Sequence, residues 1–171
     1  MLRIFTVGHS TRTFDELVKL LQAYEVNILI DVRSFPRSFK NPQFNKEVIG
    51  VKLGEHNIRY VWMKKLGGRR KGLGKKSKNI CWKNQSSRNY ADYMETPAFL
   101  EGIDELTQLG REGTPAIMCA EAAYWRCHRS MISDYLKSKR VEVTHILDEK
   151  YIKEHEYTQC AKLVDGQLSY H

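Results

Sequence analysis

Residues 3–32 read RIFTVGHSTRTFDELVKLLQAYEVNILIDV and carry the pattern of a strand, a helix and a second strand. The two ends, 3–7 and 27–32, are short β-rich apolar runs. Between them Thr13 stands three residues before Glu16, which is the spacing of a capping box, and apolar residues then recur at helical spacing. We predict a βαβ unit with a right-handed crossover, and therefore two parallel strands of one sheet.

The same alternation continues through the rest of the chain. Further strands are expected at 58–63, 115–119 and 141–147, and a candidate edge strand at 167–170. Helices are expected at 44–56, 89–95, 97–110 and 129–139. The strand at 115–119 is apolar on both faces and is therefore expected at the centre of the sheet. We predict an α/β fold, with a single domain over 1–171 and a mostly parallel central sheet flanked by helices.

A basic, glycine-rich insertion at about 64–88, called the basic segment below, interrupts this alternation. From His56 to Ala91 the chain carries eleven Lys or Arg and no Asp or Glu, which exceeds the formal net charge of +8 of the whole protein. Aromatic residues are interleaved with the cations, as is typical of nucleic-acid surfaces, and localised charge attracts a polyanion. We expect the segment to bind nucleic acid; another phosphorylated ligand, or a solvated loop without a ligand, is the alternative.

The composition, with 42% hydrophobic and 11% aromatic residues, is that of a folded globular protein. The first residues lack the cleavage site of a signal peptide, and no apolar run is long enough to span a membrane. Without a secretory signal, the four cysteines are expected to be reduced. We predict a cytoplasmic protein without a membrane partner; the oligomeric state stays open.

Polar and titratable residues accumulate after four of the predicted strands. In open parallel sheets, ligands bind outside the carboxyl ends of the strands. Four such ends indicate one shared site, although strand ends are also polar simply because they meet solvent. The residues are His9 and Ser10 after the first strand; Asp31, Arg33 and Arg37 after the second; Lys65, Gly67 and Gly68 after the third; and Glu121, His128 and Arg129 after the fourth.

Four motifs of the chain resemble those of domain-of-unknown-function family 488. They read TVGHS at 6–10, DVRSFPRS at 31–38, LGG at 66–68, and CAE followed by CHR at 119–121 and 127–129. The resemblance covers nearly the whole chain. It implies removal of modified bases from DNA, an activity connected with some members, and it assigns no catalytic role to an individual residue.

The chemistry of base removal indicates which side chains to consider. Cleavage of an N-glycosidic bond develops positive charge on the sugar, so a carboxylate and a held water are needed. Glu121 and Asp31 are the candidate carboxylates, although Asp31 is as well placed for a structural ion pair. His128 and His9 are candidate acid–base residues. The predicted nucleic-acid-binding and phosphate-binding residues are Ser10, Arg33, Arg37, Lys65, Gly67, Gly68, Arg69, Arg70, Lys71 and Arg129.

Aromatic and sulfur-bearing residues near the fourth strand allow further interpretations. Tyr124 and Trp125 are candidates for stacking on an extruded base, with a buried aromatic pair as the alternative. A strand that ends at Cys119 is similar to the layout of rhodanese-like sulfurtransferases, but no glycine follows, and a carboxylate two residues away disfavours a thiolate. A zinc site of Cys119, Cys127 and His128 lacks a second close ligand pair. We predict buried thiols, no metal and no cofactor.

Together these patterns predict an enzyme that acts on nucleic acid, with DNA favoured over RNA. The specific expectation is a DNA glycosylase-like hydrolase that removes modified or damaged bases. A rhodanese-like thiol sulfurtransferase and a nucleic-acid-binding module without catalysis are the alternatives. Carboxylates at the strand ends favour catalysis over binding alone, because a carboxylate that faces phosphates weakens affinity.

Overall fold

A computed structural model, which describes all 171 residues, has a central sheet of six strands. In chain order they are β1 (Arg3–Gly8), β2 (Ile28–Asp31), β3 (Arg59–Trp62), β4 (Pro115–Cys119), β5 (Glu142–Ile146) and β6 (Ile152–Glu154). The order across the sheet is β3-β2-β4-β1-β5-β6, in which the first five strands of the chain are parallel and β6 pairs antiparallel with β5. The predicted α/β fold with a mostly parallel sheet is confirmed.

Five α-helices cover the sheet on both faces. They are α1 (Phe14–Ala23), α2 (Lys46–Gly54), α3 (Gln85–Tyr93), α4 (Pro97–Glu112) and α5 (Arg129–Ser138). Helices α1 and α2 pack in the core on one face, and α3, α4 and α5 pack in the core on the other. The predicted strand at 115–119 is β4, and it lies between β2 and β1 with every residue buried.

The capping box predicted for α1 is present and explains where this helix begins. The Thr13 hydroxyl accepts a hydrogen bond from the Glu16 backbone N–H at 3.1 Å, and the Glu16 carboxylate accepts one from the Thr13 N–H at 2.8 Å. Two backbone donors that the helix itself cannot satisfy are thereby paired. Leu17 and Leu21 on the inner face of α1 are fully buried, so the helix is anchored over β1 and β2.

The C-terminal region differs from the prediction. Residues 167–170 were expected to add an edge strand, but β8 (Gln167–Ser169) pairs with β7 (Lys162–Val164) in a separate two-stranded hairpin. The edge strand beside β5 in the main sheet is instead β6, whose three residues are all exposed. An edge strand exposed on both faces has no apolar alternation, which is why its sequence gave no strand signal.

Two of the four cysteines form a disulfide, so the expectation of four reduced thiols is wrong. Cys81 is bonded to Cys160, with their Cα atoms 5.7 Å apart. The bond ties the basic segment to the C-terminal region, while Cys119 and Cys127 are free. A pair separated by 79 residues leaves no trace in local sequence spacing.

Reduction of this disulfide is expected to lower the free energy of unfolding by about 2–4 kcal/mol, because the bond restricts a long loop in the unfolded chain. Urea unfolding with and without reductant measures the loss. The double variant Cys81→Ser/Cys160→Ser is the control and should unfold at the same urea concentration in both conditions. A wild-type midpoint that does not respond to reductant would contradict the stabilising role of the bond.

None of the five helices has the length and apolar character needed to cross a bilayer.

Candidate functional site

A cleft of about 1110 Å³ opens at the carboxyl edge of the sheet, and residues that follow β1, β2, β3 and β4 all line it. Serine, asparagine and arginine side chains make up much of its wall. The five arginines that reach it are Arg33, Arg37, Arg69, Arg70 and Arg126. Glu121 is the single carboxylate among the 25 lining residues. Arg33 and Arg37 are ion-paired with Asp31 and Glu47, at 2.7 and 2.6 Å, whereas the other three arginines form no ion pair. The cleft therefore keeps a positive charge that suits an anionic ligand.

The loops after β1 and β4 are joined at the floor of the cleft. The backbone N–H groups of His9 and Ser10 donate to the carbonyls of Cys119 and Ala120, each at 3.0 Å. Glycine is required at position 8, because a Cβ there would collide with the carbonyl oxygen of Glu121. This close approach places Glu121 directly beside the end of β1.

His9 lies on the cleft wall with both ring nitrogens engaged. Its Nδ1–H donates to the Ser10 carbonyl at 2.8 Å, so Nε2 accepts from the Arg33 guanidinium at 3.3 Å. Burial, with the positive charge of Arg33, lowers the pKa of His9 to about 4. His9 is consequently neutral at pH 7.

Asp31 forms a buried ion pair with Arg33 behind the cleft. Arg33 Nε lies 2.9 Å from Asp31 Oδ1, and Arg33 Nη2 lies 2.7 Å from Asp31 Oδ2. The Tyr60 hydroxyl also donates to Asp31, and Arg33 donates to the Phe44 carbonyl at 2.7 Å. Asp31 is fully buried and does not line the cleft. Of its two predicted roles, the structure contains the ion pair.

The two glycines of the LGG motif allow close packing between loops. A Cβ on Gly68 would lie 2.6 Å from His128 Nδ1, and one on Gly67 would lie 2.7 Å from Ser34 Oγ. Ser34 Oγ also accepts the backbone N–H of Arg69 at 2.8 Å. The start of the basic segment is thereby held against the loops that follow β2 and β4.

Hydrogen bonds to one carboxylate just outside the basic segment hold the middle of the segment in place. The Asp92 carboxylate, on α3, accepts hydrogen bonds from the Leu73 N–H at 2.8 Å, the Ser77 hydroxyl at 2.6 Å and the Asn79 amide at 2.7 Å. The Arg70 guanidinium lies 3.9 Å from the centre of the Tyr93 ring. The segment is thus a folded loop that presents cations on a fixed frame.

Arg129 shapes the loop after β4 from inside the protein. Its side chain is almost fully buried, and it donates to Cys119 Sγ at 3.0 Å, to the Thr6 hydroxyl at 3.1 Å and to the Glu121 carbonyl. All of these partners belong to the protein itself. The Glu121 side chain, in contrast, is exposed at the cleft, where its carboxylate accepts the Ala123 N–H at 3.3 Å.

His128 and the two free cysteines meet below Glu121. His128 Nε2–H donates to the Val32 carbonyl at 2.8 Å, so the unprotonated Nδ1 faces Cys127 Sγ at 3.6 Å. Burial lowers the pKa of His128, which keeps the ring neutral. Cys119 Sγ lies 2.7 Å from Cys127 Sγ. No three His, Cys, Asp or Glu side chains are grouped to hold a metal ion.

The family model described as Domain of unknown function DUF488 matches residues 13–136, nearly three quarters of the chain. The chain belongs to this family. The matched residues include the DVRSFPRS, LGG and CAE…CHR motifs, so the resemblance predicted from the motifs is confirmed. No curated protein and no solved structure shows a significant match to the chain. The description of the DUF488 family carries no activity, which leaves the cleft itself as the guide to function.

The DUF488 cleft brings together only part of the predicted site. The predicted residues that line it are His9, Ser10, Arg33, Arg37, Gly68, Arg69, Arg70, Glu121 and His128. Those that do not line it are Asp31, Lys65, Gly67, Lys71, Tyr124, Trp125 and Arg129. Lys65 is paired with Glu101 and Glu105 on α4 at 3.4 and 2.7 Å, so its charge is directed away from the cleft.

The two aromatic residues predicted to stack on a base do not face the DUF488 cleft. Tyr124 stacks on His145, with ring centres 3.7 Å apart and planes within 5°. His145 is itself fixed by hydrogen bonds to Thr6 and His155. Trp125 is 64% exposed, but it meets Tyr124 edge-on outside the cleft. One face of the Tyr124 ring is therefore already occupied.

Sequence reasoning missed several residues that line the cleft. Phe35 is 66% exposed, and the Arg69 guanidinium lies 5.4 Å from its ring centre. Asn84, Asn89 and Arg126 also face the cavity. The signal for Phe35 was its position directly after the strand-end residues 31–34, where a core phenylalanine is not expected. The asparagines carry no such signal.

Proposed function

We propose that this DUF488 protein is a nucleic-acid-acting hydrolase that releases a modified or damaged base from DNA. The observation that carries the proposal is the combination of three arginines outside ion pairs, Arg69, Arg70 and Arg126, with one carboxylate, Glu121, in a single cleft. Arginines bind phosphate oxygens, and a lone carboxylate in a cationic cavity stabilises positive charge that develops on a sugar. Pure phosphate binding would be stronger without Glu121, so its presence supports catalysis.

The size and polarity of the cleft support a nucleotide as its occupant. Its volume of about 1110 Å³ is slightly above the usual range for small-molecule sites, which leaves room for a nucleotide and its flanking phosphates. Asn84 and Asn89 each use their side-chain oxygen within α3, which leaves their NH₂ groups as donors for a base edge. An extruded base would find Phe35 as the exposed ring of the wall.

Each side chain then has a distinct task in the proposed reaction. Arg69 and Arg126, which are exposed and form no ion pair, bind the phosphates on either side of the extruded nucleotide. Glu121 stabilises the oxocarbenium-like sugar and orients the attacking water. His9 and His128 are neutral, so they accept or donate hydrogen bonds as imidazoles and do not act as imidazolium acids at neutral pH.

Cys119 is poorly placed for the alternative, sulfur transfer. Burial raises the pKa of its thiol well above the usual value, and only 4% of the residue is exposed. The sulfur accepts a hydrogen bond from Arg129 and is not cradled by backbone amides. We therefore expect Cys119→Ser to retain most of the base-release activity.

Base release is tested directly with duplexes that contain a panel of modified bases. Free base is measured by mass spectrometry, and the remaining abasic site is revealed by alkaline strand cleavage. We expect release of at least one modified base and none from the unmodified duplex. Binding to the same duplexes without release from any of them would reject the hydrolase and leave a binding module.

Nucleic-acid binding is expected to depend on unpaired cations of the basic segment. In the variant Arg69→Gln/Lys71→Gln/Lys75→Gln, affinity for duplex DNA should fall about tenfold at moderate salt, and the slope of log K against log salt should become shallower by roughly one for each lost phosphate contact. None of the three side chains forms an ion pair.

A matched control removes three exposed cations that lie outside the basic segment and the cleft, in the variant Lys19→Gln/Arg140→Gln/Lys150→Gln. Both triple variants lower the net charge by the same amount. Fluorescence anisotropy over a range of salt concentrations compares them. Equal losses of affinity in the two variants would show that overall charge, and not the basic segment, drives binding.

A further inference from the structure

Two free thiols lie side by side on the floor of the cleft, and base release uses neither. Cys119 Sγ and Cys127 Sγ are 2.7 Å apart, and both residues line the cavity. Cys127 is half-buried and reaches the cleft, whereas Cys119 at the end of β4 is buried. The pair is separate from the Cys81–Cys160 disulfide, which does not line the cleft.

The surroundings of Cys127 favour its thiolate. Its sulfur accepts the backbone N–H of Arg129 at 3.3 Å, at the beginning of α5, where the helix dipole favours negative charge. His128 Nδ1, the unprotonated nitrogen, lies 3.6 Å away and can accept a hydrogen bond from the thiol. Burial acts in the opposite direction, but the hydrogen bond from Cys119 and the charge and backbone N–H of Arg129 outweigh it and lower the pKa of Cys127 to about 7.

The two thiols therefore differ in exposure and in pKa, as is expected when one thiol attacks a disulfide and the other resolves the intermediate. Cys127 is half-buried at the cleft and its pKa is lowered to about 7, while burial raises the pKa of Cys119 and favours its protonated form. Arg69, Arg70 and Arg126 line the cleft without forming ion pairs, so a ligand that approaches Cys127 is selected for negative charge. Inert structural thiols need neither access to the cleft nor this asymmetry.

We propose that Cys127 is a nucleophilic thiol and Cys119 its resolving partner, and that the pair reduces a small anionic disulfide that enters the cleft. The proposal is independent of base release, because it needs no nucleic acid and does not use Glu121.

The electrons and atoms of the exchange balance between the two partners. Cys127 Sγ, after loss of its proton to solvent in the cleft, attacks one sulfur of the disulfide RSSR, and the S–S bond breaks to release RS⁻. Cys119 then loses its proton and attacks Cys127 Sγ, which releases the second RS⁻ and forms the Cys119–Cys127 disulfide. Each RS⁻ takes up one of the two protons. The protein dithiol is oxidised by two electrons, and the substrate disulfide is reduced to two thiols.

Glutathione disulfide is a suitable anionic probe for the purified full-length chain. After incubation and alkylation of the remaining thiols, peptide mapping should find a Cys119–Cys127 disulfide in the wild type beside the existing Cys81–Cys160 bond. In Cys119→Ser, which cannot resolve the intermediate, one glutathionyl group should accumulate on Cys127. Free Cys119 and Cys127 in the wild type after prolonged exposure, or no adduct on Cys127 in Cys119→Ser, would overturn the proposal.

A kinetic measurement on the unmodified chain guards against a variant that fails to fold. At pH 7, iodoacetamide should alkylate Cys127 at least about tenfold faster than Cys119, because the thiolate is the nucleophile. Reaction with glutathione disulfide should be about tenfold faster than with neutral hydroxyethyl disulfide, and Arg69→Gln/Arg126→Gln should remove this preference. Equal alkylation rates, or equal rates with the two disulfides, would reject the roles assigned here.

Discussion

Replacement of Glu121 by Gln should slow single-turnover base release by about 10²–10³-fold, the size of effect seen when a group that stabilises transition-state charge is removed. Gln preserves the shape of the side chain and can still accept the hydrogen bond from the Ala123 N–H. It removes the one negative charge in the lining of the cleft. Affinity for DNA should stay near that of the parent or rise slightly, because repulsion of the phosphates is lost.

The measurement compares base release and DNA binding for the same preparations. Glu149→Gln is the matched control, since Glu149 is exposed and lies outside the cleft. It should leave both quantities unchanged. Equal base release by Glu121→Gln and the parent would show that Glu121 has no role in the mechanism. No other carboxylate could replace it in catalysis, because Asp31 is buried in its ion pair and does not line the cleft.

Asp31→Ala is expected to lower the free energy of unfolding by about 3–5 kcal/mol, the usual cost of breaking a buried ion pair from one side. The variant would leave the Arg33 guanidinium almost fully buried without its carboxylate. It would also leave the Tyr60 hydroxyl without its acceptor. Urea unfolding followed by circular dichroism measures the loss.

Two further variants show whether the charge itself is responsible. Asp31→Ala/Arg33→Met removes both charges and should recover a large part of the loss, because no uncompensated ion stays buried. Tyr60→Phe keeps the ion pair and should cost about 1.5–3 kcal/mol, as for one hydrogen bond to a charged group. If Asp31→Ala lowers the free energy of unfolding by less than about 1 kcal/mol, the ion pair contributes little to stability.

The sequence predicted those parts of the fold that local patterns control. The capping box at Thr13, the apolar spacing of α1 and the doubly buried run of β4 each depend on residues close together in the chain. The disulfide of Cys81 with Cys160 and the exposed edge strand β6 depend on residues far apart or on partners outside the segment. Local patterns contain no information about such partners.

For the candidate site, too, the sequence predicted what topology determines and missed what depends on packing. The strand-end rule located His9, Gly68 and Glu121 in one cleft, because the parallel topology alone brings those loops together. It did not separate arginines that are free from those already engaged: Arg33 and Arg129 have the same side chain as Arg126 but are buried among internal acceptors. Whether the donors of an arginine are already paired depends on the packed structure and cannot be read from residue type.

The attachment of the basic segment to Asp92 has a thermodynamic consequence for any polyanion that binds there. A flexible segment with the same ten cations would lose backbone conformational entropy on binding, and that loss would oppose association. The carboxylate of Asp92 has already imposed this order through Leu73, Ser77 and Asn79 during folding. Association can then be driven mainly by release of counterions from the polyanion, with the protein acting as a rigid template.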